Sequence, residues 1–257
     1  MGILFLIIFV DFICNKIKII KMNKKLILLL ILISTPLFSQ YKGKKFSIGF
    51  NLYYTTTSKI FLYPNSSDEI LRNKSNDIDK FFDFGLEFRY RFSEDIILTI
   101  SSEYIKTMQD GINITGFVGG TTVSINAEDG FEIVPLELSI FYVLPVSTEE
   151  FKFLMGGGGG VYFGNHLRKV GAVEVNNFSR EIGYGIHVAL SLQYLVTENF
   201  SAQLGMKFRD PDFRVTSQYT SPTVQINGST VLFPQDKFDS RINVDGVTFT
   251  LGAYYDF

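Results

Sequence analysis

The chain has 257 residues and a formal net charge of −2, so it carries no basic footprint for nucleic acid. Charged residues make up 19% of it, below the roughly 25% of an average soluble domain, while Phe (26) and Tyr (13) are abundant and Trp is absent. Its one cysteine, Cys14, lies near the N-terminus. A chain processed beyond that point has neither thiol nor disulfide, which suits passage through an oxidising compartment.

Residues 1–21, MGILFLIIFVDFICNKIKIIK, are apolar and then basic. They are expected to be a mis-assigned start or an extension. Asp11 interrupts a run already shorter than the roughly 20 residues of a spanning helix, and DFIC lacks the small residues of a lipid-attachment box. Residues 22–39 read as a secretory signal peptide: Lys24 and Lys25 form the basic region, Leu26 to Ile33 the apolar run, and Ser34 to Ser39 the polar exit. The expected mature domain is 40–257.

Beyond Ser39 the apolar residues recur every second position, the period of a strand. Eight segments show it: Lys45–Tyr54, Phe81–Phe92, Ile96–Lys106, Val134–Leu144, Phe151–Phe163, Tyr184–Tyr194, Phe200–Phe208 and Gly246–Phe257. Their apolar faces hold no charge. The opposite faces hold Asp83, Glu87, Arg89, Arg91, Glu103, Glu137, Lys152, Lys207 and Asp256 among Gly, Ser, Thr, Asn and Gln. Short connectors (SED, PVSTEE and a stretch with TEN) alternate with long polar ones at Thr55–Lys80, Thr107–Phe131, Gly164–Gly183 and Arg209–Gly246. Asn227-Gly228 marks a two-residue hairpin, and Gly119-Gly120 suggests another.

Alternation alone does not say whether the apolar face points inward, as in a soluble lipocalin-type barrel, or outward into lipid. The signal segment, the alternating loop lengths and the small polar residues of the second face favour lipid. So do two rims of aromatics, which belong at the water–lipid interfaces. One rim is Phe46, Phe92, Tyr142, Phe151, Tyr194, Phe200 and Phe257; the other is Tyr54, Phe82, Tyr104, Phe163, Tyr184 and Phe208. In hydrocarbon every backbone polar group needs an internal partner, so the sheet must close. The expected fold is all-β: an eight-stranded antiparallel up-and-down transmembrane β-barrel. Ten strands would result if the Asn227 hairpin entered the membrane.

These features, with VPLEL, GGGGGVYFG and the closing Tyr255-Asp256-Phe257, resemble the small bacterial outer-membrane β-barrel domain family. That is the OmpA/OmpX-like or porin-family group, which includes PorT-like proteins. The resemblance spans about 45–257 and lacks the peptidoglycan-binding domain of full-length OmpA. It implies an outer-membrane location, lipid contact, and recognition of Tyr255 and Phe257 by the barrel-assembly machinery. The motifs specify an architecture far better than an activity.

Candidate chemistry is sparse. Gly156 to Gly160 is followed by Val161-Tyr162-Phe163, not by the Lys-Ser/Thr of a phosphate loop; the glycines leave room for bulky neighbours. An eight-stranded lumen is just wide enough for side chains. Asp83, Glu87, Glu103 and Glu137 with Arg89, Arg91, Lys152 and Lys207 are therefore expected to form an ion-paired plug, a narrow passive channel being the alternative. His187 faces the lumen. His166 is expected in a loop, where Ser179, Asp210 and Asp212 are possible partners for hydrolase chemistry. Loop carboxylates Asp68, Glu69, Asp77, Asp79, Glu128 and Asp129 match no metal-loop spacing and are expected to be solvated. No catalytic residue, cofactor or metal is assigned. The expected role is structural, or surface interaction with an envelope or extracellular protein partner through long outer loops. The alternative is a PorT-like part of an export apparatus.

Overall fold

The computed structural model describes residues 44–235 and 237–257. The extension 1–21 and the signal segment 22–39 lie outside the described residues. The chain is an antiparallel all-β barrel. Its strands are β1 (Phe46–Phe61), β2 (Ser75–Arg91), β3 (Ile96–Val118), β4 (Thr121–Val143), β5 (Phe151–Val170), β6 (Val173–Arg180), β7 (Gly183–Leu195), β8 (Phe200–Arg209), β9 (Asp212–Tyr219), β10 (Thr223–Ile226), β11 (Ser229–Leu232), β12 (Lys237–Asn243) and β13 (Val247–Asp256). One helical turn, α1 (Glu69–Arg72), is capped by Asp68, whose carboxylate accepts the Ile70 N–H at 2.8 Å. No helix among the described residues is long and apolar enough to cross a membrane.

Eight strands close the ring in the order β1–β2–β3–β4–β5–β7–β8–β13–β1, and they contain the eight segments expected from the sequence. The seam joins the two chain ends of the barrel. Ile48 faces Tyr255, the Phe257 N–H donates to the Phe46 carbonyl at 2.8 Å, and Phe46 returns the bond at 3.1 Å. The short turns lie at this end.

The apolar face points outward. Leu138 is 62% exposed and Ile186 76%, whereas Glu137, their inward neighbour, is 1% exposed. An apolar band of this extent in water would be strongly unfavourable; against hydrocarbon it is the low-energy arrangement. Both aromatic rims are formed. Phe151 packs on Tyr194 with centroids 4.8 Å apart, Phe200 on Tyr255 at 5.1 Å, and Tyr54 on Phe82 at 4.9 Å.

The four long connectors are not loops. Most of their residues continue the wall above the band as extensions of β1 to β5 and as β6, β9 and β12. β4 shows why. It keeps one phase throughout: Ile125, Ala127, Asp129, Phe131, Ile133, Glu137 and Ser139 all point inward. Below Val134 its outward residues are Val134, Leu136, Leu138, Ile140 and Tyr142; above it they are Ser124, Asn126, Glu128 and Glu132. The barrel therefore turns inside out at one height. The lower half has an apolar exterior and a polar lumen, and the upper half has a polar exterior and an apolar core. Ile60, Ile78, Phe81, Ile105, Phe131, Ile133, Tyr162, Phe213, Val215, Ile242 and Val244 form that core just above the lumen. A second cluster around Ile125, Val170, Val173, Tyr219, Val224, Val231 and Phe233 lies further out.

In the upper wall β12 and β9 bridge β1 to β6. The circuit β1–β12–β9–β6–β5–β4–β3–β2 also passes eight strands, and a ten-strand ring arises only where the path goes from β5 through β6 and β9 to β7, by way of Asp212 opposite Tyr184, and returns through β8 and β13. The ten-stranded alternative based on Asn227 is not realised. β10 and β11 do form that hairpin, with Asn227 and Gly228 at φ +50° and +80°, but it joins the outer end of β3 through Leu232 opposite Phe117. Gly119 and Gly120, at φ +55° and +84°, make the β3–β4 turn as expected.

Candidate functional site

The lumen is filled in layers. Nearest the short turns, Arg89 projects inward from β2. Its Nε donates to Glu87 Oε1 at 2.6 Å, Nη1 to Gln193 Oε1 at 3.3 Å and Nη2 to Gln203 Oε1 at 2.7 Å. Its guanidinium lies 3.6 Å from the Tyr254 ring centroid. The Tyr254 hydroxyl donates to Asn51 Oδ1 at 2.8 Å, and the ring lies across Gly49, where any Cβ would collide with it. Arg91 and Lys152 sit at the strand ends by this mouth, where each has interactions of its own.

The middle layer is a four-charge cluster. Lys207 Nζ bonds Glu103 and, at 2.8 Å, Glu137 Oε2; Arg209 Nη1 donates to Glu103 Oε2 at 2.8 Å. The Tyr162 hydroxyl donates to Glu137 Oε1 at 2.6 Å. His187 is buried with Nε2 2.7 Å from Ser139 Oγ. A cavity of about 30 Å³ remains between Glu137, His187 and Lys207, room for about one water. Two members differ from the sequence-based network. Asp83 is buried, but neither carboxylate oxygen accepts a hydrogen bond among the described residues. Arg209, at the end of β8 and within a connector of the sequence, is the second cation of the cluster beside Lys207, where Arg89, Arg91 and Lys152 are expected from the sequence. Pairing depends on which strands face each other across the lumen, and period-two spacing does not encode that.

Above the apolar core lies a second buried polar cluster. His166 is not in a loop, nor is Asp129 solvated: Asp129 points inward from β4 opposite Arg168, His166 points inward from β5 opposite Phe131, and each is 0% exposed. His166 Nε2 is 2.6 Å from Asp129 Oδ1. Arg168 donates to the same carboxylate from Nε at 3.2 Å and Nη2 at 2.6 Å. Ser217 and Ser240 Oγ lie 3.4 and 3.3 Å from His166 Nδ1. Burial pushes the Asp129 carboxyl up, but the charges and hydrogen bonds of His166 and Arg168 outweigh it and hold the group well below the carboxylate range. Burial also dominates at His166 and lowers it below its ordinary value despite Asp129. The site thus holds an ionised Asp129, a cationic Arg168 and a neutral imidazole at neutral pH. Ser, His and Asp are the parts of a nucleophilic triad, yet both serines are fully buried and the carboxylate is shared with Arg168. The geometry is that of a satisfied internal lock. Ser179, Asp210 and Asp212 are elsewhere: Asp210 accepts from Asn243 at 2.7 Å, and Asp212 lies 3.6 Å from Arg241. Tyr255 and Phe257 face outward in the lower aromatic rim, 41% and 52% exposed.

No family model matches the sequence, and no curated protein does. Solved structures do match. The outer membrane protein OprG from Pseudomonas aeruginosa is 14% identical and aligns over 86% of this chain and 99% of its own, with a TM-score of 0.58. The chain has the fold of the small bacterial outer-membrane β-barrels. Neisserial surface protein A is 13% identical over 82% of this chain and 97% of its own, with a TM-score of 0.45. Ail, the attachment invasion locus protein of Yersinia pestis, is 13% identical over 83% and 99%, with a TM-score of 0.38. In the barrel described here the lumen cluster lies in the half with the apolar exterior, and the His166 cluster in the half above it.

Proposed function

We propose that this chain is an integral outer-membrane protein without catalytic activity, delivered by the signal segment 22–39 and inserted by the barrel-assembly machinery. Its role is structural or surface interaction, carried by the wall above the lipid band. The observation that supports this reading is the contrast between the halves. The lower one holds a lumen of mostly paired charges, and the upper one is a polar-surfaced sheet with its own buried core. Such a structure holds a fixed outer surface clear of the membrane, and the side chains that fill the lumen favour a plug over a passage for solutes. Contact with an envelope or extracellular protein would take place there.

The test uses the absence of cysteine beyond Cys14. Asn126→Cys, on the polar exterior of β4, should react with a membrane-impermeant maleimide on intact cells. Reaction only after permeabilisation would overturn the outward placement. Mild detergent extraction and affinity purification addresses the role. Recovery in a stoichiometric secretion complex would replace this reading with the PorT-like one.

A further inference from the structure

Above the lipid band the wall is not closed. β2 and β3 pair up to Phe84 opposite Tyr104 and no further. Beyond that, residues 75–83 pair with β1 and residues 105–118 with β4. One cross-link remains there, from the Asp79 N–H to Gln109 Oε1 at 3.2 Å. Where the two strands part, a cleft of about 210 Å³ enters the upper barrel. Tyr63 and Lys74 line one side of it, Ile114 the other, and Arg168, Tyr219 and Phe238 its inner wall. The described residues that line it include two cations and no carboxylate. Asp129 takes the Nε and Nη2 donors of Arg168, and the Tyr219 hydroxyl, the other polar group of that wall, hydrogen-bonds the same guanidinium. Lys74 makes no ion pair among the described residues. The Phe238 ring lies 4.9 Å from the guanidinium, which gives an apolar surface beside a fixed positive charge.

We propose that this cleft binds a small organic anion with an aromatic or compact apolar body, the anion held by Arg168 and Lys74 and the body against Phe238, Tyr219 and Ile114. Chemistry and size agree. A buried guanidinium recognises a carboxylate by charge-assisted hydrogen bonds, and a cavity of roughly 150 Å³ takes one benzene ring, so this one accommodates a ring with a short acidic substituent. The site is separate from the lumen network and does not depend on a protein partner.

Fluorine NMR on the protein in lipid nanodiscs tests it, with 4-fluorobenzoate as probe, 4-fluorobenzyl alcohol as its neutral counterpart and empty nanodiscs as blank. The acid should bind about tenfold more tightly than the alcohol. Lys74→Gln should weaken the acid by about threefold, because Lys74 is exposed. Thr115→Trp, at an exposed lining position, should abolish binding of both probes. Heat-modifiable mobility confirms that each variant is folded; if Thr115→Trp does not fold, Lys74→Glu takes its place and should weaken the acid by more than tenfold. Equal affinity for acid and alcohol, acid binding unchanged in the blocking variant, or no binding above the blank each overturns the proposal.

Discussion

Asp129 is the residue on which the outer half most depends. Its carboxylate is the sole anion hydrogen-bonded to both Arg168 and His166 among the described residues, and it also accepts from Asn76 at 3.4 Å. Asp129→Asn leaves a buried guanidinium without its counter-charge and should cost about 3–5 kcal/mol in guanidinium unfolding from lipid vesicles. Asp77→Asn, on the exposed face of β2, should stay within about 0.5 kcal/mol. The same cluster sets a pH dependence. His166 is neutral in the fold and below its ordinary value of 6.5. The unfolded chain therefore takes up its proton first, and stability falls as pH drops below about 6.5. Asp129, also held below its ordinary 3.8, adds stability that is present above that value and lost as pH falls through the lower, folded one. Hydrogen exchange of the outer strands should accelerate from pH 7 to pH 5, and His166→Gln should flatten that part of the profile. An unchanged profile in the variant would place the effect elsewhere. The sequence shows His166 and Asp129 as two polar residues 37 positions apart; only the β4–β5 register makes them neighbours.

At the scale of the strand, β4 carries the boundary between lipid and water. Leu138 and Asn126 lie on the same outward face, one inside the apolar band and one above it. Leu138→Lys should cost about 2–4 kcal/mol, since a lysine near mid-membrane on the lipid face must be desolvated or must snorkel. Asn126→Lys, in water, should be nearly neutral. Equal costs in denaturant titrations from vesicles would show that the band does not end near Val134. This boundary was present in the sequence as a reversal of which alternate residues are apolar. The period that would reveal it is broken because β1 and β3 do not keep their phase as β4 does. β1 presents Tyr53 and Thr55 inward, then Ser58 and Ile60, and β2, its partner, carries Lys80 at φ +52° at the same level. β3 has a register shift between Gln109 and Ile112. Irregularities of this kind re-aim side chains and break the period on which the expectation rests. Four stretches of sheet therefore read as polar loops.

For the whole molecule, the two halves share one wall with opposite interiors. The apolar core around Phe131 and Phe213 caps the charged lumen from above, and Arg89 on Tyr254 fills it near the short turns. Purified protein in a planar bilayer should show no discrete conductance steps, and well-resolved openings would refute the filled lumen. Closure is a property of the entire ring, because β1 and β13 pair only when every intervening strand is in register. Phe257→Ala removes an outward aromatic at that seam and, on the assembly-signal reading, should lower the heat-modifiable fraction in cells while leaving refolding in vitro largely intact.

The amino-acid sequence by itself determined the closed, inside-out barrel, its eight lipid-spanning strands, its aromatic rims and its two glycine hairpins. Each of these follows from local period, turn chemistry and the need to satisfy backbone groups in hydrocarbon. The tertiary structure alone decided which lumen charges meet, why Arg209 and not Asp83 joins the cluster, the burial of His166 against Asp129, and the parting of β2 from β3. Those depend on which strands face each other across the interior, a relation set by ring closure and register that no stretch of sequence contains.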